Sequence, residues 1–230
     1  MENQIFENVS LGEGVSIHPP CIIGFPPRGK ADGELPTLIG DGTIIRPFTT
    51  IYAGSSFGRN LQTGQGASIR ENNIIGDDVS IGTNAVLEFG NRIGDGTQIH
   101  SSCFLEDVKV GKEVFIGPNV VFTDDPHPMK CPHYLECAGG ATVEDYVKIG
   151  ANCTILPAVR IGQHALIGAG TVVVRDVRER AVIVGNPGRE TGTIDTLTCP
   201  PGFFERPYAW EPYASSSSAR SQDSDTSALK

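Results

Sequence analysis

One period dominates the apolar pattern, and it is six. Stepping by six from Ile39 gives Ile45, Ile51, Phe57, Thr63, Ile69, Ile75, Ile81, Leu87, Ile93, Ile99 and Leu105; only Thr63 is not large and apolar. The residue four places further on is mostly small, as at Thr43, Thr49, Ser55, Ala67, Ala85, Thr97 and Cys103; Leu61, Asn73 and Asn91 depart from this. Glycine often follows the apolar residue, as at Gly40, Gly58, Gly64, Gly76, Gly82 and Gly94. An amphipathic helix repeats at 3.6 residues and a half-buried strand at 2. A strict six fits neither and predicts a β-helix solenoid. Three hexads make one triangular coil, with each apolar residue pointing inward and coils stacking about 4.8 Å apart. The small fifth residue fits a corner, and Gly, Asn and Asp suit turns with left-handed backbone.

The pattern runs upstream through Ile5, Leu11, Ile17 and Ile23. Downstream, one shortened hexad at 105–109 leads to Val110, Ile116 and Phe122, and the repeat resumes at Val143, Ile149, Ile155, Ile161, Ile167 and Val173. Two insertions interrupt it, at 25–37 and 123–141. A solenoid carries insertions as loops on one face, often the binding face. The fold class is therefore all-β: a left-handed parallel β-helix of hexapeptide repeats, an exception to right-handed crossovers. It spans 1–189, followed by an aromatic-rich extension at 190–213 and a polar, low-complexity tail at 214–230 expected to be disordered. Phe203, Phe204, Tyr208, Trp210 and Tyr213 make an apolar patch expected to pack on the solenoid end or a neighbouring subunit.

The 28 glycines and 7% aromatics among 230 residues argue against a helical bundle. A net charge of −9 argues against nucleic acid as partner. No apolar run is long enough for a membrane span, and MENQIFENVS has neither the basic nor the apolar region of an export signal, so a cytoplasmic location is expected. Six cysteines then read as thiols. Cys21, Cys103 and Cys153 fall at the small fifth position and are expected to be packed. Cys131, His133 and Cys137 lie together in the second insertion and could ligate a structural zinc, form a disulfide, or remain thiols. Cys199 is uninformative.

Residues 110–189 resemble the hexapeptide-repeat acyltransferases, notably the galactoside, xenobiotic and nucleotide-sugar acetyltransferases. The likeness rests on VFIGPNVVFTDDPHP (114–128), VKIGANCTILPAVRIG (147–162), ALIGAGTVVVRDV (165–177) and VGNPGR (184–189). The last departs from the usual GNPAR by having Gly188 in place of Ala. The resemblance implies a homotrimer with acetyl-CoA lying in the groove between neighbouring solenoids. Ala151 and Ala169 match positions whose backbone holds the pantetheine arm, Val174 and Arg175 match the adenine end, and Arg189 matches an arginine near the phosphates, a role suited to its fixed, charged fork.

His127 matches the histidine at the head of the active-site loop, where imidazole serves as base near neutrality. Asp124 and Asp125 stand beside it, to orient the ring or bind an acceptor amine. His100 is a second site candidate, with Ser101 and Ser102 as acceptor-binding residues. His18 and His164 read as surface and turn residues. The expected reaction is acetyl transfer from acetyl-CoA to an amino or hydroxyl group of a small-molecule sugar, with a nucleotide-linked amino sugar preferred. Two other readings stay open: a zinc enzyme of the γ-class carbonic anhydrase kind, drawing on His100, His127 and His133, and a non-catalytic scaffold.

Overall fold

The computed structural model describes residues 2–127, 131–137, 139–208, 210, 212 and 213; the tail 214–230 lies outside the described residues. Strands of mostly two residues assemble into three sheets of nine, eight and ten strands, parallel and taking every third strand of the chain up to a closing hairpin on the ten-stranded sheet. The result is the left-handed parallel β-helix expected from the repeat. Partners lie three hexads apart, one full coil, as in Ser68 with Val86, Ile74 with Arg92 and Ser80 with Gln98. Each rung donates its backbone N–H to the coil above, for example Arg70 to Leu87 O at 2.8 Å and His100 to Ile116 O at 2.9 Å. The backbone is thus satisfied between coils, as a buried backbone must be.

The inward column is the core. Ile45, Ile51, Ile69, Ile81, Leu87, Ile99, Leu105, Ile116, Ile149 and Ile155 are fully enclosed. At the first coil the column opens: Ile5 and Leu11 are 48% and 43% exposed because no coil lies beneath them among the described residues. The polar exceptions are built in. Thr63 is buried, and its Oγ1 accepts the Arg46 N–H at 3.0 Å and meets Thr49 Oγ1 at 3.1 Å. Asn73 and Asn91 fill corners that elsewhere take small residues. Asn73 Oδ1 accepts the Asn91 N–H at 3.0 Å, Asn91 Oδ1 accepts the Val108 N–H at 3.0 Å, and both amides donate to Glu88 O.

The irregular spacings resolve as departures from register. Arg92 pairs with Lys109, one position short of a full coil, so the short hexad removes a single turn residue. Leu11 pairs with Ile39 across more than a full coil, and the first insertion leaves between Ile22–Phe25 and Thr37–Ile39. Val110 pairs with Val143 across a longer excess still, and the second insertion leaves after Phe122. It is held on the same corner one coil on, where Gly139 N–H donates to Asp124 O at 2.7 Å and Ala158 N–H donates to Gly139 O at 3.0 Å.

The solenoid closes with a hairpin. Ala181–Val184 runs parallel to Leu166–Ile167, and Arg189–Thr193 returns antiparallel to it, so the last strand runs across residue 189. The aromatic extension then folds back on the side of the coil. Tyr213 lies 5.4 Å from the His164 ring and 5.1 Å from Lys148 Nζ, and its carbonyl accepts from Arg180 Nη1 at 3.0 Å. The Tyr146 ring stacks on His164 at 5.1 Å. Only this end of the aromatic patch is covered; Phe203, Phe204 and Trp210 stay exposed.

Two outcomes follow. A Cβ on Gly150 would stand 2.5 Å from Ala169 N, backbone that cannot move without shifting the next coil. Gly170 has a φ of +74° but open space. Gly150→Ala therefore costs about 1–3 kcal/mol from overpacking, and Gly170→Ala about 1 kcal/mol from left-handed backbone alone. Urea unfolding gives the order, and equal costs would remove coil stacking as the constraint. Second, burial, with help from Arg180 and Lys148 and against Glu179 and Asp145, pushes the His164 pKa down. A base held neutral by the fold stabilises it fully above its ordinary value, about 6.5, and less as pH falls below that. The extension should loosen in acid, read by anisotropy of Trp210, the single tryptophan; His164→Phe should abolish the pH dependence.

Candidate functional site

A triangular coil has three corners, and the candidate residues occupy two of them, on either side of the nine-stranded sheet. The first corner links the ten-stranded sheet to the nine-stranded one. It carries His100, Ser101 and Ser102 on one coil, Gly117 and Pro118 on the next, then Gly150 and Ala151, then Gly168 and Ala169. The coils are joined there by a ladder: Asn119 N–H to Ser101 O at 3.0 Å, Asn152 N–H to Pro118 O at 2.9 Å, and Gly170 N–H to Ala151 O at 2.8 Å. Glycine recurs because a Cβ at Gly117 would stand 2.8 Å from Ala151 N. The result is a flat edge of small residues. Ala169 is exposed and Ala151 partly so. Gly188, whose N–H donates to Val172 O at 2.8 Å, caps this edge. Arg189 is exposed just beyond and donates from Nη1 to Gly188 O at 3.0 Å.

At the foot of the same edge the His100 ring packs on Phe115, with centroids 4.7 Å apart. A shallow depression of about 320 Å³ opens beside it, lined by Arg46, Gln62, Ser80, Gln98, His100 and Ser101 among others. Sequence reasoning missed Gln62, Ser80 and Gln98. Each immediately precedes an inward residue, so each points outward, and the coil-to-coil register stacks them in one polar column.

The second corner links the nine-stranded sheet to the eight-stranded one. Here the long insertion leaves, carrying Asp124, Asp125 and His127, and Val174 and Arg175 lie two coils further on. Asp125 Oδ1 accepts the backbone N–H of His127 at 2.7 Å. That contact shapes the loop; the partner facing the His127 ring is Cys137, with Sγ 3.7 Å from Nδ1. His127, Cys131 and Cys137 form one cluster, and His133 instead meets Glu136 with Nδ1 3.1 Å from Oε1. Val174 and Arg175 border a second depression of about 300 Å³ whose rim includes Gly188 and Glu190.

Glu106 was also missed. Burial first, then the carboxylates of Asp124, Glu88 and Asp107, push its pKa up, while Arg70 opposes them. Arg70 itself is tied to Glu71 at 2.9 Å and Glu88 at 3.0 Å. A carboxyl raised in this way can exchange a proton nearer neutrality. Its only sequence signal was its place one coil before the insertion. A surface depression of about 680 Å³ lies on the eight-stranded sheet around Arg92, Lys109 and Thr142 and includes none of the expected residues. Among the described residues no helix is long and apolar enough to cross a membrane.

Two family descriptions match the chain: "Bacterial transferase hexapeptide (six repeats)" over residues 140–175 and "Hexapeptide repeat of succinyl-transferase" over 72–101. The chain is 28% identical to the bifunctional protein GlmU of Alkalilimnicola ehrlichii over 80% of its own length and 35% of that protein. It is 32% identical to a galactoside O-acetyltransferase of Lactococcus lactis over 50% of its own length and 53% of that protein. It thus spans about a third of the first relative and about half of the second. In fold it is similar to a UDP-N-acetylglucosamine acyltransferase from Campylobacter jejuni, with a TM-score of 0.68 at 18% identity, covering 83% of this chain and 72% of that one.

Cys103 and Cys153 stand at the first corner behind this edge and, with Cys21, are buried as expected; burial pushes all three thiols up. In native protein a thiol-alkylating reagent should leave these three unmodified and modify them only after denaturation, as peptide mass spectrometry would report. Rapid native labelling of Cys103 or Cys153 would mean that the corner opens.

Proposed function

This chain belongs to the hexapeptide-repeat acyltransferase family, and from that premise we propose that it transfers an acetyl group from acetyl-CoA to a small-molecule sugar, preferentially the amino group of a nucleotide-linked amino sugar. The observation that carries this reading is the small-residue edge that runs from His100 and Ser101 through Ala151 and Ala169 to Gly188 and Arg189. A pantetheine arm needs such an edge, because only small side chains let it lie against backbone amides and carbonyls. Arg189, and Arg175 at the other corner, offer guanidinium groups suited to phosphate. Arg46, Gln62, Ser80 and Gln98, with Ser101 and Ser102, offer polar contacts suited to hydroxyl-rich acceptors.

His127 lies at the other corner of the same chain. A groove between two copies, in which the edge of one faces the loop of the next, accounts for this division and supports a homotrimer as the working assembly. In the step itself, the acceptor nitrogen or oxygen attacks the thioester carbonyl and its proton passes to His127. The carbon–sulfur bond then breaks, and the departing thiolate takes up a proton to leave as CoA. Asp124 offers a carboxylate to an acceptor amine. Positioning in the groove supplies a further share of the rate.

Calorimetry with acetyl-CoA, run beside light scattering, tests the reading. One site per chain is expected on an assembly of three 24.5 kDa chains. Ala169→Leu should weaken binding at least about tenfold, which corresponds to about 1.4 kcal/mol, with unchanged melting because Ala169 is exposed. His127→Asn should lower kcat about 10²- to 10⁴-fold with little change in CoA affinity. A folded trimer that ignores acetyl-CoA would refute the proposal, and a monomer would refute the shared groove.

A further inference from the structure

The long insertion concentrates donors that the solenoid otherwise keeps apart. His127, Cys131 and Cys137 each bring one donor atom to within 4.8 Å of the others. His127 Nδ1 and Cys137 Sγ are 3.7 Å apart. In a tetrahedral zinc site, with Zn–S near 2.3 Å and Zn–N near 2.0 Å, neighbouring ligand atoms stand about 3.5–3.8 Å apart. The observed pair already stands at that edge length.

The backbone beside His127 and Cys137 is held by contacts of its own. Asp125 Oδ1 holds the His127 N–H at 2.7 Å, Gly139 ties back to Asp124 at 2.7 Å, and Cys137 ends the one-turn helix Tyr134–Cys137. His133, the nearer histidine in sequence, is turned to Glu136 and stands outside the cluster. The donors are accessible: His127 is exposed, and both cysteines are half-buried.

We propose that this loop is a zinc site in which His127, Cys131 and Cys137 are the protein ligands and the fourth position is open to solvent. Two thiolates and one imidazole form a soft donor set that selects zinc over the hard cations, which prefer oxygen. Binding releases the thiol protons and ties His127, Cys131 and Cys137 to one ion. The site stands independently of acetyl transfer, because every argument for it concerns donor type and spacing.

The test uses the untagged full chain, reduced and stripped of metal, titrated with Zn²⁺ and separately with Co²⁺. One equivalent of zinc should bind per chain. Cobalt should give the near-ultraviolet sulfur-to-cobalt band and the intense visible bands of a tetrahedral centre. Cys131→Ser, Cys137→Ser and His127→Asn should each weaken zinc at least about tenfold, and His133→Asn should leave it within about twofold. Circular dichroism should be unchanged in all four, since the loop lies outside the coil core. The proposal is overturned by zinc binding that is not stoichiometric, by a cobalt spectrum without the sulfur band, or by His133→Asn acting like the ligand variants. A zinc equivalent that survives in the Cys131→Ser, Cys137→Ser double variant overturns it as well.

Discussion

Everything in this molecule depends on coil-to-coil register. Each coil satisfies its backbone only by bonding to the coil above and below, and buries its apolar column only if the inward residues stack. A slip of one residue would turn Ile, Leu and Val outward along the whole rung. The corners are the tightest part of that constraint. Backbone passes so close to backbone at Gly117 and Gly150 that a single methyl group would collide with the next coil. The buried Asn73–Asn91 ladder shows the same rule from the polar side, because a larger corner residue is accepted where its amide replaces the missing backbone partners.

This constraint decides where chemistry can reside. The inward column is committed to packing, and the strands are so short that each rung offers one outward position per side of the triangle. Functional groups must sit at outward positions, at corners, or in insertions that leave the coil without breaking it. The candidate residues obey that division. Gln62, Ser80 and Gln98 are outward rungs, Ser101, Ala151 and Ala169 are corners, and His127 rides on an insertion. Because the second insertion is pinned through Asp124, Gly139 and Ala158, the loop takes its position from the coil rather than floating over it.

The repeat made the architecture legible from single residues. Stepping by six placed Ile39 through Leu105 inward, and the spacing failures at 105–109 and after Phe122 marked the short turn and the long loop where the register shows them. The reading of Ile5 and Leu11 as inward residues was less complete, since a periodic pattern does not say which coil is an end. The site was less legible for the same reason. A period of six reports which residues share a face but not which faces a neighbouring copy will cover, so residues matched to one ligand by resemblance fall at two corners. Glu106 and the glutamine column carry no local motif; they emerge only when neighbours one coil apart are stacked. In the insertion the repeat is silent. Of the candidates Cys131, His133 and Cys137, the two cysteines lie with His127 instead, because His133 is turned to Glu136 by a contact that spacing does not report.

His127 therefore stands where two lines of argument meet. An imidazole nitrogen that accepts a proton from an attacking acceptor needs a free lone pair, and a metal ligand has committed that pair. The two roles exclude each other in the same molecule at the same moment. A loop that binds zinc through His127 is, for acetyl transfer, a loop without that base, unless Glu106, whose carboxyl is raised on the same corner, takes over the proton. The insertion then does more than deliver a side chain to a groove. Its cysteines would set the terms on which the histidine is available, which gives a physical reason for thiols and imidazole to be gathered in a long segment that leaves the coil and is anchored to it only at its ends.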